Sequence, residues 1–191
     1  MARETGVGVV ASGDFGWAVA AAVRALLTRT SRPVRITREP MALPPGCFIA
    51  GGFGIRAAWR DVHSEFESFA SAARSGRVPW LPVALDHPYV RIGPAVIPDG
   101  APCHLCYLAR VRQHGTSLDA EIRQAQDADA QLGVRGFPPH LAMLAAGLAL
   151  SMMHAAEAGR SGTLVTINSH TDEVSTWRVV PCHDCPGCAG R

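Results

Sequence analysis

The sequence predicts an α/β protein with a reduced Rossmann-like sheet, flanking helices and a C-terminal four-cysteine knuckle. The first observation is an apolar, β-branched run at residues 7–11, followed by a glycine turn at 12–16 and a helix of small and apolar residues at 17–27. A strand, a glycine turn and a helix in this order open a Rossmann unit. The second observation is that Cys-x-x-Cys spacing occurs in two clusters, at residues 103–106 and 182–188.

The rest of the first half is predicted to add two strands and a helix. Strands are expected at 33–37 and 47–50, and the lone Cys47 is expected to be a small buried hydrophobe. A glycine turn at 51–54 then leads into a helix over 55–75. Apolar residues recur at helical spacing in this helix and form its expected core stripe: Trp59, Val62, Phe66 and Phe69. His63 is expected at the boundary of that stripe.

The second half alternates short strands with helices. The run at 78–84 contains prolines, so we predict a strand that is short or at a sheet edge. Further strands are predicted at 89–92 and 95–97, and a hairpin at 164–168 and 174–180. Helices are predicted at 105–114, 117–132 and 140–158.

Composition excludes several classes of function. The 191 residues carry a formal net charge of +2, and no basic face interleaved with aromatics indicates a nucleic-acid partner. All 18 basic residues are Arg, which excludes a Lys-based phosphate loop or Schiff base. The N-terminus lacks a signal-peptide pattern, and the apolar run 141–156 falls short of the roughly 20 residues that cross a bilayer. We therefore expect a cytoplasmic protein without a membrane partner.

The cysteine clusters predict a closed structural zinc site. Cys103 and Cys106 with Cys185 and Cys188 supply four thiolates, the ligand set of a tetrahedral zinc. Cys182 has the same spacing to Cys185, but the Pro-Gly step between the last two cysteines favours them, leaving Cys182 as a spare ligand. The alternatives are disulfides, which need an oxidising compartment, and a redox pair, which would open a helix directly after a strand.

The order of these parts resembles a known family. The residues that carry the likeness are Tyr89-Val90-Arg91-Ile92-Gly93-Pro94, the stretch Pro98-Asp99-Gly100-Ala101-Pro102-Cys103-His104-Leu105-Cys106 with Arg110 and Arg112 after it, and the ending Cys185-Pro186-Gly187-Cys188. They resemble ThiF-like (ubiquitin-activating-type) partner proteins of bacteriocin cyclodehydratases, which serve thiazole/oxazole-modified microcin biosynthesis. The resemblance covers residues 76–191 well and the first half weakly.

The resemblance implies a partner role without chemistry of its own. Such a protein binds the leader of a ribosomal precursor peptide and presents the core to a YcaO enzyme, which uses ATP to form azolines. The resemblance also implies the four zinc cysteines named above and a possible homodimer. The alternative for the long apolar helix is that it fills the monomer core. Its candidate dimer face is Leu144, Leu148, Met152 and Met153.

Two departures from the family pattern limit what carries over. Between Thr37 and Cys47 there is too little chain for the helix and strand that would bring ATP-binding side chains. No room is expected before Val7 for the winged-helix module that binds leaders in most relatives. The chain is treated as one ThiF-like domain over 1–191, with a reduced Rossmann-like half at 1–75 and the knuckle-bearing half at 76–191.

Other function classes stay open at this point. In a small ThiF-type adenylating enzyme, Gly13, Gly16 and Glu39 would hold ATP. However, the Gly-x-Gly-x-x-Gly fingerprint has lost its first glycine to Ala11, which favours a scaffold without a ligand. A zinc-ribbon nucleic-acid module conflicts with the near-neutral charge. We expect no catalytic residue, and supporting or surface roles for the histidines His87, His104 and His183.

Overall fold

The chain folds around a mixed seven-stranded β-sheet. The computed structural model describes residues 6–30, 32–38, 52–113, 124–125, 127–129, 131 and 136–188. The strands, in chain order, are β1 Val7–Ser12, β2 Val34–Arg38, β3 Phe53–Trp59, β4 Trp80–Asp86, β5 Tyr89–Ile92, β6 Thr163–Asn168 and β7 Val174–Arg178. The helices are α1 Gly13–Leu27, α2 His63–Ser75, α3 His104–Arg112 and α4 Pro139–Glu157, with a 3₁₀ turn at Thr28–Thr30.

The strand order is β2-β1-β3-β4-β5-β6-β7, and the direction of pairing changes once. The strands from β2 to β4 are parallel, whereas β4 to β7 pair antiparallel. The parallel part is the Rossmann-like half, in which an α-helix crosses over between strands. The antiparallel part is a meander that carries the sheet toward the cysteine-rich C-terminus. The predicted α/β class is confirmed.

Helices cover both faces of the sheet, and strand alternation decides which residues meet them. Val9 packs in the cluster formed with α1 and α4, while its neighbour Val10 packs in the cluster formed with α2. This follows from the two-residue period of a strand. Val90 and Ile92 belong to the α1/α4 side, so Tyr89 and Arg91 point to the opposite face.

The predicted helix over 55–75 is wrong in its first part. Phe53 to Ala58 form a strand that is buried along its whole length, and α2 begins only at His63. A run buried on both faces has no alternation, so its apolar positions can imitate a helical stripe. Phe66 and Phe69 are fully buried, as the stripe predicts, but His63 is buried rather than at a boundary.

The prediction of an edge position for residues 78–84 is also wrong. Strand β4 lies between β3 and β5, near the middle of the sheet. Its internal proline is tolerated because Pro82 stands opposite Gly93, just past the end of β5. The Pro82 carbonyl accepts a hydrogen bond from the Gly93 N–H at 2.8 Å, and the Gly93 carbonyl, which has no proline N–H opposite it, accepts from Arg91 Nη1 at 2.6 Å instead.

The other elements agree with the prediction or lie outside the described residues. The first two strands, α1, β5, α3, α4 and the terminal hairpin are confirmed within a few residues. Of the strand expected at 95–97, the structure has one bridge, between Val96 and Trp80. The strand at 47–50 with Cys47, Glu39, and most of the helix at 117–132 fall outside the described residues.

The long helix α4 packs in the core. Its 19 residues are long and apolar enough to cross a membrane by length and composition, the one such helix in the described part of the chain, but half of that span is buried inside the protein. Met152 and Met153 are in the core with α1 and the sheet. Met152 and Met153 therefore cannot contribute to the predicted dimer face, and only Leu144 and Leu148 of that face remain partly accessible.

Candidate functional site

Two tight turns bring four cysteines together. Cys103 is the N-cap residue of α3, and the N–H of Cys106 donates to the Cys103 carbonyl at 3.1 Å. The chain after β7 repeats this arrangement, with the Cys188 N–H donating to the Cys185 carbonyl at 2.9 Å. Each Cys-x-x-Cys segment thus turns both of its thiols to one side. The four sulfurs all lie within 4.8 Å of one another.

The spacing of the sulfurs fits a tetrahedral metal ion. The Sγ–Sγ distances are 3.9 Å for Cys103–Cys106, 3.6 Å for Cys103–Cys185 and 3.5 Å for Cys106–Cys188. A tetrahedron with metal–sulfur bonds of about 2.3 Å has edges of about 3.8 Å. A disulfide needs a sulfur separation of about 2.05 Å, and the cysteines of the described residues are free. These four residues could therefore hold a metal ion.

The fifth described cysteine supports this cluster from outside. The backbone N–H of Cys182 points at Cys106 Sγ, 3.4 Å away. Burial opposes ionisation of Cys106, but hydrogen bonds from the N–H groups of Cys182 and Cys103 outweigh it and lower the pKa of this thiol to about 7. Burial raises the pKa of Cys103. A bound cation would favour the thiolate form of all four ligands.

Gly187 shows how closely the second turn approaches the first. A Cβ at this position would lie 2.5 Å from Cys103 Sγ. Only a glycine leaves room for the sulfur, so the Pro-Gly step favoured from the sequence is required by packing. The cluster also joins the start of α3 to the C-terminal tail, with Val179 and Leu108 packed beside it.

A buried ion pair fixes α3 against the sheet. Arg91 on β5 donates to both carboxylate oxygens of Asp61, from Nε at 2.7 Å and Nη2 at 2.6 Å. Burial raises the pKa of Asp61, but the charge and hydrogen bonds of Arg91 outweigh it and hold that pKa below its usual range. The guanidinium lies 4.6 Å from the ring centre of Tyr107, the residue after Cys106. The metal-site helix is thereby anchored to β5 and to the start of α2.

The two histidines next to the cysteines, His104 and His183, lie in different surroundings. His104 is 1% exposed, and neither ring nitrogen has a hydrogen-bond partner among the described residues. Its ring packs against Trp80 and Tyr107. Burial and the neighbouring positive charge of Arg91 lower the pKa of His104 to about 3, so the ring is neutral. His183 is exposed.

The glycine turn is filled by the protein itself. A Cβ at Gly13, where φ is +64°, would lie 2.6 Å from Trp59 Cβ, and one at Gly16 would lie 2.5 Å from the Ala57 carbonyl oxygen. Both glycines are therefore needed for α1 to pack on β3, whether or not a nucleotide binds. Trp59 occupies the place just beyond the turn.

Ion pairs lie at the edge of the sheet that the glycine turn borders, where the parallel strands end. Ligands of open α/β sheets bind at the carboxyl ends of the strands. Here Arg60, directly after β3, donates to Asp86 at 2.6 Å and to Asp129 at 2.6 and 2.8 Å. The indole N–H of Trp59 donates to Asp129 at 3.2 Å. Among the described residues, Trp59, Arg60, Asp86 and Asp129 thus form one hydrogen-bonded group at the carboxyl ends of β3 and β4.

The sequence reasoning missed these charged residues. Arg60 and Asp61 follow β3 and Asp86 ends β4, and the signal for the first two was the charged pair directly after the run 53–59. Because residues 55–75 were predicted as one helix, this signal at the end of a strand was not recognised. Of the proposed ATP-holding residues, Gly13 and Gly16 lie together and Glu39 is outside the described residues.

Comparison with known proteins establishes the fold. The sequence matches no protein-family model and no curated protein. Three solved structures are similar. A heterocyclase in complex with substrate and cofactor has a TM-score of 0.65 at 15% identity, covering 97% of this chain and 25% of that chain. The heterocyclase TruD has 0.62 at 19% identity, covering 97% and 27%. The E. coli microcin synthetase McbBCD complex has 0.61 at 14% identity, covering 94% and 67%.

The chain therefore shares its fold with these heterocyclase and microcin synthetase chains, in agreement with the predicted α/β class. At such identities the likeness is one of architecture. The chain spans about a quarter of the length of the two heterocyclase chains, with 25% and 27% coverage. The activity and partners of those longer proteins are therefore a matter for proposal.

Proposed function

We propose that this chain is a non-catalytic partner protein in the maturation of a ribosomally synthesised peptide, acting with a YcaO-type cyclodehydratase that forms azolines. The observation that carries the proposal is the combination of a fold shared with heterocyclase and microcin synthetase chains and the hydrogen-bonded group of Trp59, Arg60 and two aspartates at the carboxyl ends of β3 and β4. A protein that keeps this architecture but places such a group at its nucleotide edge is suited to binding and positioning.

We propose zinc as the ion of the four-cysteine site, held by Cys103, Cys106, Cys185 and Cys188. Four thiolates at these separations match its preferred ligand set and geometry. Zinc in such a site supplies folding energy and leaves no open coordination position for a substrate. The residues themselves then fasten α3 to the C-terminal tail, a closure that is entropically costly without a cross-link.

The proposed partners are the precursor peptide, through its leader, and the YcaO enzyme, in the cytoplasm. Among the similar structures, one heterocyclase is in complex with substrate and cofactor, and the microcin synthetase McbBCD is itself a complex. A homodimer of this chain would use the accessible side of α4, where Met143 is 48% exposed beside Leu144 and Leu148.

Reconstitution tests the proposed function. The chain, a YcaO enzyme and a precursor peptide encoded beside it are mixed with ATP, and the peptide mass is followed for loss of water. We expect water loss only with this chain present. Cys103→Ser should abolish it, while Leu26→Ser, at an exposed position on α1, should not. Cyclodehydration that proceeds equally without this chain would reject the partner role.

Calorimetry with ATP separates this role from adenylation. We expect no ATP binding by the isolated chain, because the group that Trp59 and Arg60 form with the two aspartates lies at the edge where such sheets bind ligands. Binding of ATP that weakens in Gly16→Ala would favour a small adenylating enzyme instead.

A further inference from the structure

One face of the sheet is left open beside α3. Strand β6 alternates, with Val165 and Ile167 in the core and Leu164, Thr166 and Asn168 partly accessible on the other face. Helices α2 and α3 lie on that face over the middle of the sheet. Beyond α3, none of the described residues covers β6 and β7. We call this surface the β7 trough.

The β7 trough consists of two clefts that meet at Trp177. One lies between α3 and the hairpin, with Val111, Leu164 and Val179 among its apolar walls. The other runs across β5 to β7, from Tyr89 to Trp177. Trp177 is 58% exposed, and its indole N–H donates to the Thr166 hydroxyl at 3.0 Å, which ties the ring to β6. The cleft beside α3 therefore offers apolar contacts, whereas the other cleft is lined mainly by polar residues: Thr166, Asn168, Glu173 and Ser175.

The charge of the trough is uneven. Arg110 lines the cleft beside α3, and no acidic residue of the described chain lines that cleft, whereas Arg178 follows Trp177 and its side chain points to the other face of β7. Arg110 also donates to the carbonyl of Pro181 at 3.1 Å, which fixes its position. An occupant with carboxylates near either of these arginines would find complementary charge.

None of the described residues pairs with the outer side of the β7 backbone. Glu173 and Val179 exchange hydrogen bonds with the β6 side, so residues 173, 175, 177 and 179 face β6. The alternation of an antiparallel pair then directs the N–H and C=O groups of residues 174, 176 and 178 outward. Natural proteins usually protect such edges with charge, proline or a covering segment. Here the edge carries Val174 and is flanked by Val180, which are 45% and 59% exposed.

We propose that the β7 edge and the β7 trough bind an extended peptide that carries apolar and acidic side chains, by adding it to the sheet as an eighth strand. Alternate apolar side chains of the peptide lie on the Trp177 face, and the carboxylates between them lie on the other face, beside Arg178. The inference deepens the proposed function, since it locates the precursor-peptide contact on this chain, and it rests on that function for the identity of the peptide.

The length of β7 favours a peptide over a second copy of the chain. Five residues span about 17 Å. A stable protein–protein interface needs about 800 Å² from each partner, whereas a peptide strand needs only the edge and the pockets beside it.

Peptide binding to the full chain tests the proposal without YcaO enzyme or ATP. The probe is a fluorescein-labelled ten-residue synthetic peptide of alternating Val and Thr, with two Thr replaced by Glu. A matched peptide has Lys in their place. Fluorescence anisotropy at low salt should show at least tenfold tighter binding of the Glu peptide, and salt should reduce the difference.

Variants at the edge separate strand addition from nonspecific attraction. Thr176→Pro should weaken binding of the Glu peptide at least tenfold, because it removes an N–H that points outward from β7 and leaves the bonds to β6 in place. Thr176→Val, the matched control, should bind the Glu peptide as tightly as wild type does. Arg178→Glu should invert the preference between the two peptides, and Arg29→Glu, an exposed charge on the 3₁₀ turn, should not. Thermal unfolding checks that each variant is folded.

Each contrary outcome overturns the proposal. Equal binding by Thr176→Pro and wild type would exclude strand addition, and no binding of either peptide would exclude the site. A dimer in light scattering that Thr176→Pro dissociates would assign the edge to a second copy. Because the assay has no enzyme, peptide binding with failed reconstitution would reject the proposed function alone.

Discussion

Replacing Asp61 by Asn should be among the most destabilising single-atom changes in this protein. The substitution keeps the side-chain shape but removes the charge that faces Arg91. Arg91 is 7% exposed, and it retains only its bond to the Gly93 carbonyl at 2.6 Å and its contacts with aromatic rings, none of which carries a compensating charge. Loss of one partner from a buried ion pair costs about 3–5 kcal/mol.

The expected change in melting temperature follows from this free energy. For a domain of this size, 1 kcal/mol corresponds to about 2–4 °C, so Asp61→Asn should lower the melting temperature by roughly 6–20 °C. Urea unfolding followed by tryptophan fluorescence gives the free energy directly. Glu67→Gln is the matched control, since Glu67 pairs with Arg112 at 3.4 Å on the surface and should contribute less than about 1 kcal/mol.

A double variant and a pH series complete the test. Arg91→Met in the Asp61→Asn background should recover stability, because it removes the uncompensated buried charge. The folded-state pKa of Asp61 is depressed, so its contribution is present above its unfolded pKa of about 3.9 and is lost as pH falls through the folded value. The difference between wild type and Asp61→Asn should therefore begin to shrink below about pH 4 and disappear only below the folded-state pKa of Asp61. A cost for Asp61→Asn no larger than that of Glu67→Gln would refute the reasoning.

Three further predictions concern the metal site and the glycine turn. Cys188→Ser should lose the bound metal and Cys182→Ser should retain it, as measured by metal content per chain; the reverse result would assign the site to the alternative spacing. Chelation or acidification should lower the melting temperature of wild type and release the ion, since the ligands bind as thiolates; an unchanged melting temperature would show that the cluster is dispensable. Gly16→Ala should destabilise by about 1–3 kcal/mol through overpacking against the Ala57 carbonyl. By contrast, Gly147→Ala in α4 meets nothing within 4 Å and should stabilise by up to about 1 kcal/mol; equal effects in urea unfolding would contradict the packing role of the turn.

The spacing of the cysteines was readable from the sequence because it is local. Two residues between Cys103 and Cys106 are enough to form one tight turn, and the Pro-Gly step selects Cys188 over Cys182. That the two turns meet at 3.5 and 3.6 Å is a tertiary fact, set by β5, β6, β7 and α3.

The course of β3 shows where local pattern fails. Residues 53–58 are buried at every position, including Arg56, so they show no alternation that would distinguish a strand from a helix. Only the pairing with β1 and β4 decides it. The error concealed Arg60 and Asp61, whose position after β3 places them at the carboxyl edge of the parallel strands.

The sequence by itself determined the α/β class, the first strand–turn–helix unit, the terminal hairpin and the two Cys-x-x-Cys turns that could hold a metal ion, because each is encoded within a few neighbouring residues. The tertiary structure alone decided that Pro82 can sit in a central strand, that Gly13 packs against Trp59, and that Arg91 reaches Asp61. Those outcomes depend on which distant segments become neighbours, and contacts of that kind leave no periodic trace in the chain.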